Sequence, residues 1–545
     1  MSYSNLIQIK GNRANFVKHE FEPVTLTIQG NTIVDIALDS KMHPEYLIPG
    51  WVDAHIHLES SMLLPAAFSA QARLSGTLSF VADPHEIANV CGLPGIVYFL
   101  EQSKNLPLYP AYMIPSCVPA SPWDLSGHTI SSQEVQNLIY HPLVHGLAEV
   151  MNVPGVLRRD PEVMDKIRIT HEAEKKVDGH CPGLSGSMLE KYCRTGINTD
   201  HECTSEREAI EKIRQGMKIL IREGSAAKNL QDLLPVLDQY PESCMFCTDD
   251  LHPDDLMKGH LHPLLIKACH EGIDLWKVLR CASLNPINHY SLPLGLLRKG
   301  DSADFLILDD LESFHLKGSF FRGKCFQTTS NGESLLPCWV NQCFNPSFVF
   351  EEDFILPPSN LIQRVIGASD GELLTREIPF TAHNDTNEML PDIDKDILRI
   401  ALINRYKPSK PVCAWVHGIG LKQGAFASSI AHDSHHILVV GQDRSDMAKA
   451  VNTLVEIKGG LAAVCGSKTY SMKLPFAGLM SLEKASETAM QYQHMDALVK
   501  SWGTELTSPF MTLSFLSLLV IPELKLGEKG LFNGTQYTWV SNTIA

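Results

Sequence analysis

Two histidines one residue apart, His55 and His57, close the apolar run Leu47-Ile48-Pro49-Gly50-Trp51-Val52-Asp53-Ala54-His55-Ile56-His57. On an extended strand, residues i and i+2 face one side about 6.6 Å apart, so both imidazoles can turn onto one metal ion while Ile56 faces away. Alone, the pair is equally a strand end with one packed and one solvated histidine. Further donors sit at the ends of later apolar runs, each just before a polar turn: Glu149, His180, His201 and Asp249. Histidine and carboxylate donors with open coordination positions suit Zn, Fe or Mn, and a carboxylate can bridge two ions roughly 3.5 to 4 Å apart. The spacing suggests an inner ion on His55, His57 and Asp249, an outer ion on His180 and His201, and Glu149 spanning both. Two cations on one water would lower its pKa from about 15.7 towards about 7, and Asp249 is placed to take that proton and pass it to a leaving group. Singly, each residue has a structural reading as a satisfied core histidine or an ion-paired carboxylate. The order of all six on successive strand ends argues for the metal site.

What must position them is a set of eight short apolar runs separated by helix-like segments: Leu47 to Asp53, Thr77 to Asp83, Leu108 to Ser116, Val144 to Glu149, Lys176 to His180, Ile197 to His201, Met217 to Arg222 and Cys244 to Asp249. Eight strand-then-helix units is the count of an α/β TIM (β/α)8 barrel, whose strands present catalytic side chains at their carboxyl ends. Ser205-Glu206-Arg207-Glu208 reads as a capping box opening a helix after strand six, with Ala209, Ile210 and Ile213 on one face. The Pro-rich stretch from Pro115 to Pro122, with Trp123, is either a loop over a pocket or an irregular surface loop.

The flanks read differently. Val24-Thr25-Leu26-Thr27-Ile28, the turn Gln29-Gly30-Asn31 and Thr32-Ile33-Val34-Asp35-Ile36 have hairpin grammar, and Ser302 to Asp309 is a second β-rich run. Residues 1–46 with 295–340 are therefore expected to form one small β-sheet domain around a barrel of residues 47–294. Residues 341–545 are expected to form a C-terminal α/β domain, with a strand at His436 to Gly441 and a helix from Asp446 through Ile457. No internal repeat or low-complexity segment is evident.

With 545 residues the chain exceeds a single core. A formal net charge of -16 without a Lys/Arg cluster argues against a nucleic-acid surface and for a small-molecule ligand. The amino terminus lacks the features of a secretory signal or transit peptide. The longest apolar run, Met511 to Ile521, is too short for the roughly 20 residues of a membrane span and reads as a buried helix. A cytoplasmic protein with no membrane partner is expected. Fourteen scattered cysteines suit reduced, buried thiols. Cys244 and Cys247 match C-x-x-C, but on a strand they face opposite sides and make a poor chelate.

The order His-x-His, strand-four carboxylate, His, His, Asp resembles the amidohydrolase superfamily, and the surrounding words are closer still to its adenine deaminases. They are Asp53-Ala54-His55-Ile56-His57-Leu58-Glu59-Ser60-Ser61, Ala82-Asp83-Pro84-His85-Glu86-Ile87-Ala88-Asn89-Val90, Pro115-Ser116-Cys117-Val118-Pro119-Ala120 and Glu149-Val150-Met151-Asn152. They continue with Asp178-Gly179-His180-Cys181-Pro182-Gly183-Leu184-Ser185-Gly186, Asp200-His201-Glu202-Cys203-Thr204, Arg222-Glu223-Gly224-Ser225-Ala226-Ala227-Lys228-Asn229, Thr248-Asp249-Asp250 and Leu474-Pro475-Phe476-Ala477-Gly478-Leu479-Met480-Ser481. One departure lies in Asp433-Ser434-His435-His436, where the family tends to have Asn in place of His436.

The resemblance implies hydrolysis of adenine to hypoxanthine and ammonia with two divalent ions, Mn2+ or Fe2+ being usual and Zn2+ an alternative, by attack of hydroxide at C6, and it suggests a homo-oligomer. Glu149 and Asp249 are the candidate proton shuttles. Asp83, His85 and Glu86, after strand two, are candidates for substrate contact or proton transfer, or else a structural loop. Arg222, Glu223 and Ser225, after strand seven, could reach the purine edge. The H-x-E and P-C-x-x-C pattern of the zinc deaminases that act on nucleic acid is absent. Two rivals remain: an amidohydrolase opening a cyclic amide, whose strand-four lysine is here Glu149, and an inactive scaffold, which should have lost ligands.

Overall fold

The computed structural model describes residues 6–326, 336–385 and 387–544. Residues 1–5, read above for targeting signals, and the stretch 327–335 of the second flank lie outside the described residues.

Eight barrel strands occur in the expected order: Trp51–His57, Thr77–Ala82, Tyr109–Ile114, Val144–Val150, Lys176–Gly179, Thr199–Asp200, Lys218–Arg222 and Cys244–Cys247. Strands one to five pair in sequence and strands six to eight form a second run, all parallel. After strand eight the chain steps over Thr248 into Asp249–Asp250, which pairs with strand one, Asp249 opposite Ile56 and Asp250 opposite His57. That step closes the barrel beside the two histidines. Strands five and six meet through Asn198 N donating to Val177 O and Gly179 N donating to Thr199 Oγ1. A side chain at Gly179 would lie 2.4 Å from Thr199 O, so only glycine permits this approach next to His180. Val52, Ala54, Val81, Ala111, Met113, Ala148, Leu220, Met245 and Cys247 form one buried cluster contributed by six of the strands. Small residues among the larger ones let the layers interdigitate, as a filled barrel requires.

Two local readings change. The run Leu47 to Asp53 is not one strand: Tyr46–Pro49 joins the small sheet and Trp51–His57 enters the barrel. The break falls at Pro49-Gly50, where Pro49 has no donor for a ladder and a side chain on Gly50 would strike Leu78. At Ser205 only half of the capping box forms. Ser205 Oγ accepts from Glu208 N, but the Glu208 carboxylate takes Gly183 N (2.8 Å) and Lys212 Nζ (2.7 Å). Lys212 is buried and also binds Asp200 (2.9 Å), and a buried ammonium outbids a cap worth about 1 kcal/mol.

The small sheet has seven strands in the order Lys324–Cys325, Leu316–Phe321, Phe305–Leu308, Tyr46–Pro49, Leu6–Asn15, Glu20–Gln29 and Thr32–Leu38, so both flanks contribute to it. The hairpin turns at Gly30, whose φ of 64° suits glycine. Beyond it, the C-terminal region is sheet-rich. Its main sheet runs Arg376–Phe380, Ile362–Gly367, Val412–His417, Ile397–Ile403, Ile437–Gly441, Ala425–Ser428, Gly460–Cys465, Lys468–Lys473. Among the described residues one pair of this sheet is parallel and the others antiparallel. Helix Arg444–Ile457, capped by Asp443, lays Met447, Val451 and Leu454 on the sheet. The run Met511 to Ile521 is a short helix, Pro509–Ser514, followed by a turn, Phe515–Ser517. One apolar core continues from Ile56, Phe68 and Phe80 of the barrel to Leu398 and Ile400 of the C-terminal sheet and Phe476 just beyond it. Shared burial of this kind fixes the C-terminal region over the barrel.

Candidate active site

All six expected metal donors converge at the carboxyl ends of the barrel strands. His57 Nε2 lies 3.1 Å and His55 Nε2 3.4 Å from Asp249 Oδ1. On the other side, Glu149 Oε2 is 2.8 Å from His180 Nδ1 and 3.3 Å from His201 Nε2, while Glu149 Oε1 is 3.5 Å from His57 Nε2. Glu149 thus stands between the two groups. The ring of His201 stacks on that of His55 with centroids 4.2 Å apart.

His57 Nδ1 lies 3.1 Å from the backbone carbonyl of Asp83, which can only accept, so Nδ1 carries a proton and Nε2 is the nitrogen that would take a metal ion. His55 Nε2, Glu149 Oε2 and His180 Nδ1 are buried and make no hydrogen bond within the protein despite their close approach. Donors crowded together without hydrogen-bond geometry are what ligands of a shared cation look like, and the mixed imidazole and carboxylate set suits a first-row divalent ion. His55, His57 and Asp249 form one compact group and His180, His201 and Glu202 another.

Electrostatics keep the carboxylates ionised. Burial pushes Glu149 up, but the His180 and His201 rings more than reverse this and hold it well below the usual range. For Asp249 burial is likewise overcome, by Arg222 and then by His55 and His57. Asp249 also has φ of 58°, a left-handed conformation that costs of order 1 kcal/mol or more. The strain turns its carboxylate onto the two histidines as strand eight ends.

The substrate candidates divide. His85 Nδ1 is 3.0 Å from Asp83 Oδ2 and 3.6 Å from Glu149 Oε1, so Asp83 and His85 join the cluster. Glu86 stands behind them, accepting from Ser60 Oγ (2.9 Å). Arg222 is buried as a fork, with Nη1 2.6 Å from both Glu202 Oε1 and Asp249 Oδ2 and Nη2 3.0 Å from Glu202 Oε2. Glu223 is not brought to the cluster: its carboxylate takes Lys267 Nζ (2.9 Å) and Leu230 N (3.3 Å). Ser225 bonds Asp255 and lines a cleft of about 950 Å³ beside the site. Cleft and donor cluster share Glu202, Arg222, Leu373, Phe515, Val520 and Ile521 as walls. The apolar run read as a buried helix is therefore part of the roof. Trp123, from the loop after strand three, stacks on Tyr537 of the C-terminal region (5.3 Å), so this loop does reach over the barrel.

Several residues escaped the sequence reading. Glu202 directly follows His201 in Asp200-His201-Glu202, and that adjacency was the available signal; the structure also brings it to His180. His432, Asp433 and His435 come from the C-terminal region. Asp433 Oδ1 is 3.2 Å from His85 Nε2, and His435 Nε2 is 3.0 Å from Glu86 Oε2. Three histidines within five residues was the clue. His436, the departure noted above, faces elsewhere: its Nδ1 accepts from Arg405 N (3.4 Å), and burial lowers its pKa to about 3.

The sequence profile of the amidohydrolase family matches residues 46–335, and that of the adenine deaminase C-terminal domain matches residues 372–538. The chain is 42% identical over 531 residues to an adenine deaminase of Methanosarcina mazei, covering 94% of this chain and 95% of the relative. It is 42% identical over 541 residues to one of Sulfurovum sp. (98% and 99%), and 40% identical over 545 residues to one of Parabacteroides distasonis (99% and 99%). With metal-ligand clusters at the barrel mouth and matches spanning nearly the whole sequence, the chain belongs to the adenine deaminases of the metal-dependent amidohydrolase family.

Proposed function

We propose that this chain hydrolyses adenine to hypoxanthine and ammonia, using two divalent ions of which manganese is the preferred species. The observation that carries this is the convergence of His55, His57, Glu149, His180, His201 and Asp249 at one barrel mouth, in a chain so similar to adenine deaminases. His55, His57 and Asp249 would hold one ion, His180 and His201 the other, with Glu149 between and Glu202 available to the second group. Bound there, such ions supply Lewis acidity and make a water acidic enough to attack at neutral pH.

The side chains supply the rest. Asp249, ionised beside Arg222, accepts the proton of the attacking water and returns one to the departing nitrogen. His85 lies between Asp83 and Asp433; burial opposes its protonation, but the two carboxylates outweigh it and hold the imidazolium well above the ordinary histidine range. It is suited to donate to the purine edge. Phe515, Val520 and Ile521 exclude water from above. We further propose that the small sheet of residues 1–46 and 295–340, the barrel of 47–294 and the region 341–545 are the three structural units, acting in the cytoplasm. Among the described residues no helix is long and apolar enough to cross a membrane.

The test is ammonia release from adenine by metal-stripped protein titrated with Mn2+, with bound metal measured in parallel. Activity should rise to a plateau at two ions bound in the barrel. Stoichiometric binding with adenine untouched would overturn the substrate assignment, and an absence of binding would overturn the metal site.

A further inference from the structure

Behind the barrel cluster lies a second group of metal-ligating side chains that the proposed deamination does not use. Glu86 opens the helix His85–Cys91 after strand two, whereas His432 and His435 belong to the loop that follows the C-terminal strand Ala425–Ser428. All three are buried, and one donor atom from each lies within 4.8 Å of the others.

The arrangement is electrostatically incomplete. His435 Nδ1 sits 2.5 Å from the backbone carbonyl of Asp433. A carbonyl only accepts, so that nitrogen carries a proton, and in a singly protonated ring Nε2 then presents a lone pair. That lone pair points at Glu86 Oε2, another acceptor, from 3.0 Å. His432 Nδ1 is 3.8 Å from Glu86 Oε1, and its ring is pinned by stacking on Phe515 at 4.7 Å. Ser60 Oγ donates to Glu86 Oε1 and fixes the carboxylate from behind. Bonds of about 2.1 Å at tetrahedral angles put ligand atoms roughly 3.4 Å apart, and the observed 3.0 and 3.8 Å bracket that value. A histidine that gives its other N–H to a backbone carbonyl is also the usual outer arrangement of a metal ligand.

We propose that Glu86, His432 and His435 form a further divalent transition-metal site, separate from the barrel donors, in which one ion rivets the strand-two loop to the C-terminal region. Asp433 lies between the two histidines in sequence and faces His85, so the ion holds Asp433 in place. Its role is positioning, and the C-terminal region takes part in the site through it.

The experiment strips the purified full-length protein of metal, titrates it with Mn2+ and counts bound manganese per chain after desalting. Wild type is compared with H432N/H435N, with E86Q and with the barrel variant H55N/H57N. The proposal expects H432N/H435N and E86Q each to bind one ion fewer than wild type, whatever number the barrel holds. It expects H55N/H57N to retain an ion that H432N/H435N removes, and to keep part of the rise in melting temperature on adding Mn2+. In wild-type crystals soaked with Mn2+, an anomalous peak should lie between Glu86 and His435. Equal metal counts in wild type and H432N/H435N, or an anomalous map empty at that position, would overturn it and leave a proton-bridged cluster. The wild-type map decides even where the variants fail to fold. Loss of the barrel ions alone would count against the binuclear reading and not against this one.

Discussion

His85 and Asp433, separated by 348 positions in sequence, meet at 3.2 Å between Nε2 and Oδ1. Asp83 holds the opposite nitrogen at 3.0 Å. Barrel and C-terminal region thus complete one Asp-His-Asp line ending beside Glu149. Asp433→Asn keeps the shape and removes one of the two charges that sustain the imidazolium. We expect kcat/KM to fall about 10- to 100-fold. Because the His85 pKa is raised in the folded protein, losing Asp433 lowers it, so the alkaline limb of the pH–rate profile should move to lower pH. An unchanged limb in a correctly folded variant would rule out His85 as the proton donor.

His57 touches both groups of donors, 3.1 Å from Asp249 and 3.5 Å from Glu149. His57→Asn removes a nitrogen that no neighbour replaces. Loss of several kcal/mol of transition-state stabilisation corresponds to about 10³-fold or more in kcat/KM, and metal content should fall with it. Chelation of the wild type should abolish activity, and Mn2+ should restore it. Metal analysis beside steady-state kinetics checks both; a fully active His57→Asn protein would remove His57 from the metal site.

How much of this could be read beforehand depended on range in sequence. Seven of the eight barrel strands were legible, as was the convergence of the six residues at the barrel mouth, because those residues lie at the ends of five apolar runs and strand periodicity is local. The allocation of Tyr46–Pro49 to a different sheet was not, since it depends on pairing with Leu6–Asn15 and with Phe305–Leu308, the latter more than 250 residues away. Glu208 looked like half of a capping box because its competing partner, Lys212, gains its weight from burial that spacing does not reveal. Glu223 resembled its neighbour Arg222 in promise but turns to Lys267. The histidine density at 432–436 marked Asp433, His432 and His435 without showing what they meet, because their partners, His85 and Glu86, lie in another region of the chain.

Arg222 is the counter-charge for two buried carboxylates. Removing it leaves Glu202 and Asp249 unpaired in a region where water cannot compensate, so Arg222→Met should destabilise the fold by about 3 to 5 kcal/mol. Arg222→Lys restores charge but not the fork that binds Glu202 and Asp249 together, and should recover stability only in part while activity stays low. Urea unfolding with parallel kinetics on both variants is the check. Full activity in Arg222→Lys would show that charge alone suffices.

Lys525 offers a pH test at the roof of the site, on a group outside the barrel donors. It is fully buried on the strand Leu524–Gly527, and Nζ donates to the carbonyls of Leu373 (2.6 Å) and Phe515 (3.0 Å), both residues of the roof. Burial lowers its pKa from 10.5 to about 7. The folded state therefore holds this proton more weakly than the unfolded chain. The contribution to stability is fully present above about pH 10.5 and is lost as pH falls through about 7, at about 1.4 kcal/mol per unit across that window. Lys525→Met keeps the aliphatic stem and has nothing to titrate. Relative to wild type, the variant should be most stabilised at about pH 7 and should lose that advantage towards about pH 10, as read from urea midpoints at several pH values. Parallel curves for the two proteins would mean that the two carbonyls keep the ammonium charged in the core, and that the roof is held by that charge.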